Sequence, residues 1–260
     1  MGNGAIETSA TRSCELRQTS VGEFRIHSEH AGSGPSVVLL HGLSGSRRWW
    51  RYTTPALARR YRVHVPELVG FGGSRGAARQ PNIPEMAAVI ADWLGQICQA
   101  DYRLIGHSMG GQIAVHVAAK HRSPERLVLT AATGLPRPLT LRDAAEFVAG
   151  ALPPRRWGAP MFMPTIAADA LRAGPRALVR ATQHLLQDDV RPLLPHISCA
   201  TLVVWGGLDP LVPLAHGEAF AQSIPRARLV VLPDAAHNPM ADRPVEFNRL
   251  VLDFLDAPTP

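Results

Sequence analysis

The sequence is poor in lysine, in cysteine and in long apolar stretches, and each shortage excludes a class of protein. Its three cysteines, Cys14, Cys98 and Cys199, are too few, and odd in number, for a disulfide scaffold. No apolar stretch approaches the roughly 18 residues that span a bilayer, and residues 1–12 contain no apolar signal-peptide core. We therefore expect a soluble cytoplasmic protein without a stable membrane anchor, beginning with a flexible leader over residues 1–14.

The basic residues are almost all arginine. Lys120 is the only lysine among 27 basic residues, and with 21 acidic residues the formal net charge is +6. A pI near 10 invites a nucleic-acid-binding hypothesis, but the chain has no lysine-rich run and no aromatic stacking module. We therefore predict no nucleic-acid partner and expect a scattered arginine surplus, whose most specific role would be to attract an anionic substrate.

The 260 residues, 46% of them hydrophobic, suffice for one globular domain with an insertion. Short apolar runs that are typical of strands buried on both faces recur at Val37–Leu40, Arg62–Val65, Arg103–Ile105, Leu127–Thr130, Leu202–Trp205 and Leu229–Leu232. Amphipathic helical patterns lie between or after them at Glu85–Gln99, Met109–His121 and Pro244–Leu255. The alternation predicts an α/β fold with a mostly parallel sheet, and Leu16–Thr19 with Glu23–His27 predicts a leading hairpin.

The alternation of strands and helices stops between Gly134 and His196. This stretch is rich in proline, mostly helical in pattern and without a convincing strand, so we expect an inserted helical subdomain. It carries Trp157, Met161 and Phe162. The adjacent Met161, Phe162 and Met163 either pack in a core or line a pocket beneath the inserted helices, and the sequence favours neither alternative.

Ser108 is the candidate nucleophile. Gly106-His107-Ser108-Met109-Gly110 matches the pattern G-x-S-x-G, and it lies between the predicted strand Arg103–Ile105 and the helix that begins near Met109. Such a strand–turn–helix is tight enough to require small neighbours. A second match around Ser74 has no strand before it, which predicts loop structure.

Two backbone amides and two side chains complete the predicted chemistry. The N–H groups of Leu43, in the loop after the strand Val37–Leu40, and of Met109 could together bind a developing oxyanion. Asp209 and His237 each follow a later strand, so both should lie at the same sheet edge as Ser108, with His237 as base and Asp209 fixing its tautomer.

Other titratable residues near these positions are weaker candidates for a catalytic role. His107 should point away from the position of a base. His116 and His121 lie on the helix after Ser108 and are predicted to have no nearby carboxylate, so we do not expect a metal pair there. Asp234 is close to His237 in sequence but is better explained as a turn residue.

These motifs together resemble the α/β-hydrolase superfamily, in its branch of serine hydrolases with a cap. The resemblance covers residues 21–254 and rests on His41-Gly42, Gly70–Ser74, Gly106–Gly111, Trp205–Asp209 and Ala236–Pro239. It implies an eight-stranded sheet with helices on both faces, a core of residues 15–133 and 197–257, and a helical cap of residues 134–196. Family members often carry Asp, Pro and Gly where this chain has Glu67, Val69 and Ala236.

The resemblance implies a hydrolase that needs no cofactor or metal and cleaves a small carboxylic ester or lactone through an acyl-enzyme. Carbon–carbon bond hydrolysis of ring-cleavage diketones and a cofactor-free haloperoxidase or perhydrolase activity remain alternatives in the same fold, and a binding protein on this scaffold is the alternative from another class. The oligomeric state is left open. The predicted pocket residues are His41, Ser44, His107, Trp157, Met161, Phe162, Leu211 and Val212.

Overall fold

The structure is a computed structural model that describes residues 14–98, 101–135 and 158–258. Its strands are β1 (Glu15–Val21), β2 (Phe24–Ala31), β3 (Ser36–Leu40), β4 (Arg62–Pro66), β5 (Tyr102–His107), β6 (Arg126–Thr130), β7 (Ala200–Gly206) and β8 (Ala227–Leu232). They form one eight-stranded sheet in the order β1-β2-β4-β3-β5-β6-β7-β8. Pairing is antiparallel from β1 through β2 to β4 and parallel from there on. The predicted α/β fold class and its leading hairpin are confirmed.

One prediction about burial is wrong. The apolar run Leu229–Leu232 was expected to form a strand buried on both faces, but β8 is the last strand of the sheet and is mostly half-buried. Among the described residues it pairs only with β7, so no described strand lies along its outer edge. An apolar run alone does not distinguish an edge strand from a central one.

The helices flank the sheet and are α1 (Thr54–Leu57), α2 (Ile83–Ile97), α3 (Met109–Lys120), α4 (Met163–Ala173), α5 (Pro175–Gln187), α6 (Leu214–Ser223), α7 (Pro239–Asp242) and α8 (Pro244–Asp256). Helix α2 begins two residues before the predicted Glu85 because the Asn82 side chain accepts from the Glu85 N–H, and the Glu85 carboxylate accepts from the Asn82 N–H in return. None of the described helices is long and apolar enough to cross a bilayer.

Two apolar cores lie on the two faces of the sheet. Side chains alternate along β3, so that Val38 and Leu40 join one core, while Val37 and Leu39 join the other. The first core receives α2 and α3, and the second receives α1 and α8. Helices α4 and α5 lie between β6 and β7 in chain order, and the described residues from 158 to 196 contain no strand.

Candidate active site

The parallel strands place the loops after β3, β5, β7 and β8 at one edge of the sheet. Ser108 directly follows β5 with φ 53° and ψ −119°, a conformation that non-glycine residues rarely adopt. Glycine is required around it, since a Cβ on Gly106 would lie 2.5 Å from the Gly110 oxygen and a Cβ on Gly110 would lie 2.4 Å from the Leu40 oxygen. The turn therefore presents the Ser108 hydroxyl at the sheet edge.

Ser108, His237 and Asp209 form a continuous chain of hydrogen bonds. The Nε2 atom of His237 is 3.1 Å from Oγ of Ser108, and its Nδ1 atom is 2.8 Å from Oδ2 of Asp209. The other oxygen of Asp209 accepts the N–H groups of Leu211 at 2.8 Å and Val212 at 3.0 Å. These two amides hold the carboxylate in place, and because a carboxylate oxygen only accepts, His237 Nδ1 carries the proton and Nε2 faces the serine as an acceptor.

The Leu43 and Met109 amides lie on two segments that pack directly against each other. A Cβ on Gly42 would lie 3.0 Å from Cβ of Ser108, and α3 begins against the end of β3 at Gly110. Neither the Leu43 N–H nor the Met109 N–H has a hydrogen-bond acceptor within the part of the chain that the structure describes. Met109 also begins α3, where the helix dipole favours negative charge. The arrangement suits a developing oxyanion.

His41 and His107 each form a hydrogen bond to a loop of the site, and that they line a pocket stays a prediction. Both side chains are fully buried. Nε2 of His107 donates to the His237 carbonyl at 2.8 Å, and Nε2 of His41 accepts the Leu68 N–H at 3.0 Å. Burial lowers the pKa of both rings, that of His107 well below its ordinary value. Both rings are therefore neutral and hold the loops in place.

The other predicted pocket residues differ in exposure. Phe162 is buried with its ring 5.8 Å from Trp49, which fits the packing alternative, whereas Met161 is 79% exposed. Leu211 is half exposed, and Val212 is buried beside Asp209. Ser44 is buried with φ 64°. Trp157 lies outside the described residues.

The sequence analysis missed Asp169, a buried carboxylate on α4. It accepts hydrogen bonds from Oγ of Ser46 at 2.8 Å and Nε1 of Trp49 at 3.1 Å, and it pairs with Arg48. These partners follow the Leu43–Ser44 loop directly. Asp169 therefore ties the inserted helices to the segment that carries one candidate oxyanion amide. Ser46 is 123 residues away in sequence, so no local pattern marks the contact.

Two further carboxylates join the inserted segment to the site. Asp242 accepts the N–H groups of Ala159 at 2.7 Å and of Ala236, the residue before His237, at 2.9 Å, and burial raises its pKa.

Asp188, after α5, accepts from Gln112 at 2.8 Å and lies 2.9 Å from Nε2 of His116. The prediction that His116 lacks a nearby carboxylate is therefore wrong, since Asp188 approaches it from 72 residues away.

The second G-x-S-x-G match is structural, as expected. Ser74 is buried in a short turn, and its Oγ accepts the His27 N–H at 2.9 Å. Glu67, where family members often carry Asp, accepts the Gly73 N–H at 2.6 Å and the Arg47 N–H at 3.2 Å. The described residues contain no group of three or more His, Cys, Asp or Glu side chains suited to a metal ion.

The sequence of this chain is similar to those of known proteins. The model of the alpha/beta hydrolase family matches residues 37–250. The chain belongs to this family. This α/β-hydrolase is 32% identical to a pimeloyl-(acyl-carrier protein) methyl ester esterase of Aeromonas hydrophila, over 87% of this chain and 98% of that protein. It is 31% identical to a 2-hydroxy-6-oxo-6-phenylhexa-2,4-dienoate hydrolase of Burkholderia cepacia, over 96% of this chain and 97% of that protein.

A solved structure shows the same architecture. A thermophilic esterase from Thermogutta terrifontis superimposes on this α/β-hydrolase with a TM-score of 0.77 at 27% identity, covering 95% of this chain and 98% of that one. Since its similar proteins are named as esterases and hydrolases, the chain is an enzyme of the hydrolase class. The fold and family do not determine the bond that is cleaved.

Proposed function

We propose that this α/β-hydrolase cleaves a small carboxylic ester or lactone, with Ser108 as nucleophile, His237 as general base and acid, and Asp209 as the group that orients His237. The single observation that carries the proposal is the unbroken hydrogen-bond chain from Ser108 Oγ through His237 to Asp209. The unpartnered Leu43 and Met109 amides beside it support the proposal, since acyl transfer needs donors for a developing oxyanion.

The proposed reaction has two halves. Ser108 Oγ attacks the ester carbonyl while His237 Nε2 takes its proton, and the Leu43 and Met109 N–H groups donate to the carbonyl oxygen as it becomes an anion. The imidazolium then gives its proton to the departing alkoxide, which is released as the alcohol. The acyl group remains bound to Ser108 as an ester. In the second half, His237 takes a proton from a water molecule whose oxygen attacks the acyl carbon; the bond to Ser108 Oγ then breaks, the imidazolium returns the proton to Oγ, and the carboxylic acid is released.

We also propose that residues 134–196 act as a cap over the core of residues 15–133 and 197–257. The contacts of Asp169 with Ser46 and of Asp242 with Ala159 and Ala236 support this division, because both join the inserted segment to loops of the site. Such a cap would set the acyl and alcohol groups that are accepted.

Hydrolysis of a series of p-nitrophenyl esters of increasing acyl length tests the proposal. We expect the wild type to hydrolyse at least one ester, and Ser108→Ala to lose at least about 1000-fold in kcat. A Ser108→Ala variant with undiminished turnover would overturn the assignment.

Carbon–carbon bond hydrolysis is the second candidate, because the Burkholderia cepacia relative named for a dienoate substrate matches nearly the whole chain. Assaying a dienoic diketone acid beside the esters separates the two functions. We expect kcat/KM to be higher for the best ester. A higher value for the diketone acid would replace the ester proposal while leaving Ser108 and His237 to be tested on that substrate.

A further inference from the structure

A cleft of about 370 Å³ lies between the inserted helices and the loop that follows β4. Helix α4 and the first turns of α5 form one side, with Arg172, Arg176 and Arg180. The loop contributes Arg75 and Arg79 to the other side. The prediction of a scattered arginine surplus is therefore incomplete, because five of the arginines line this one cleft.

The charge in this cleft is poorly neutralised. No Asp or Glu belongs to its lining among the described residues. Arg79 pairs with Glu23 and Glu85 outside the cleft, and Arg172 lies 3.8 Å from Asp169. Within the described ranges, Arg75, Arg176 and Arg180 have no carboxylate within 4.0 Å. Positive charges gathered without counter-charges cost stability, which a bound anion would restore.

We propose that this arginine cleft binds a phosphate group carried by a small-molecule ligand. Guanidinium groups donate paired N–H groups in a planar fork that matches phosphate oxygens, and a phosphate monoester brings close to two negative charges. Gln80 in the same lining has its side-chain oxygen buried without a hydrogen-bond partner among the described residues. A single carboxylate would leave more of the charge uncompensated.

A second cavity adjoins the cleft, and its lining includes the carboxylates of Glu67 and Asp169. This cavity of about 290 Å³ shares Arg75 and Arg172 with the cleft and is lined by Ser46 as well. Ser46 is three residues after Leu43, whose N–H is the proposed oxyanion donor. The inference goes beyond ester hydrolysis and stands without it, because phosphate binding is measured in the absence of turnover.

Calorimetric titration of the full chain with pyrophosphate tests the site directly. We expect saturable binding that weakens as salt rises, and an Arg176→Gln/Arg180→Gln double variant that binds at least about tenfold more weakly. Arg249→Gln on α8 removes the same charge outside the cleft and should bind as the wild type does. Thermal unfolding of each variant checks that the fold is retained.

Two p-nitrophenyl esters distinguish a phosphate on the substrate from a free phosphate compound. Their acyl chains are equal in length and end in phosphate or in hydroxyl, and KM is measured for each. A lower KM for the phosphate ester in the wild type, lost in the double variant, places the group on the substrate. Pyrophosphate binding without any difference between the esters still supports the site and makes free phosphate compounds its ligands. The proposal is overturned if pyrophosphate does not saturate, or if the double variant binds it as tightly as the wild type does.

Discussion

At the scale of single residues, the proposed chemistry depends on which nitrogen of His237 carries its proton. Asp209 decides this, because its Oδ2 lies 2.8 Å from Nδ1 and its other oxygen is held by two backbone amides. The side chain of Asp209 is only 1% exposed, so water does not compete for the histidine. The structure thus assigns His237 the tautomer in which Nε2 can accept from Ser108.

Replacing Asp209 with Asn should remove most activity while keeping the fold. The amide oxygen can still accept from Leu211 and Val212, but the amide nitrogen would donate to Nδ1 and force the proton onto Nε2. We expect kcat for the best ester to fall by about 10⁴-fold. Asp234→Asn is the matched control, since Asp234 is exposed and pairs with Arg243; its kcat should change less than about twofold. Equal losses in both variants would contradict the assigned role.

At the scale of elements, strands and helices could be read from the sequence because each is a local pattern. The turn around Ser108 could also be predicted, since a strand, small residues and a helix are consecutive there. The contacts of α4 with the core could not be predicted, because Asp169 and Ser46 are distant in sequence and neither belongs to a recognisable sequence motif. The same holds for Asp188 and His116.

Asp169 should contribute substantially to the attachment of α4. Asp169→Asn leaves Arg48 without its buried counter-charge and presents an N–H donor to the hydroxyl of Ser46 or the indole N–H of Trp49. We expect a loss of about 3 kcal/mol in the free energy of unfolding, measured by urea denaturation, and a reduced kcat/KM. Asp253→Asn, exposed on α8, should cost less than about 0.5 kcal/mol. Equal stability of the two variants would show that Asp169 does not anchor the helix.

At the scale of the whole molecule, stability should depend on a buried histidine pair far from Ser108. Nδ1 of His30 lies 2.7 Å from Nδ1 of His64, between β2 and β4. Burial, with smaller effects from nearby positive charges, lowers the pKa of His30 to about 4 and that of His64 to about 3. Both rings stay neutral in the folded protein at pH values where they are protonated in the unfolded chain.

The unfolded chain therefore binds more protons than the folded one below about pH 6.5, and stability falls as the pH falls. We expect His30 alone to account for a loss on the order of 3 kcal/mol by pH 4. Urea denaturation at several pH values measures this slope, and His30→Asn/His64→Asn should flatten it even if the variant is less stable overall. An unchanged slope would mean that other groups cause the acid sensitivity.

The most direct test of the central claim is covalent labelling with a p-nitrophenyl alkylphosphonate, read by intact mass and peptide mapping. The hydrogen-bond chain of Ser108, His237 and Asp209 predicts one adduct per chain, located on Ser108, with esterase activity lost in proportion to labelling. Ser108→Ala should take up no label. An adduct on another residue, such as Ser74, or a Ser108→Ala variant that still labels and hydrolyses esters, would contradict the claim.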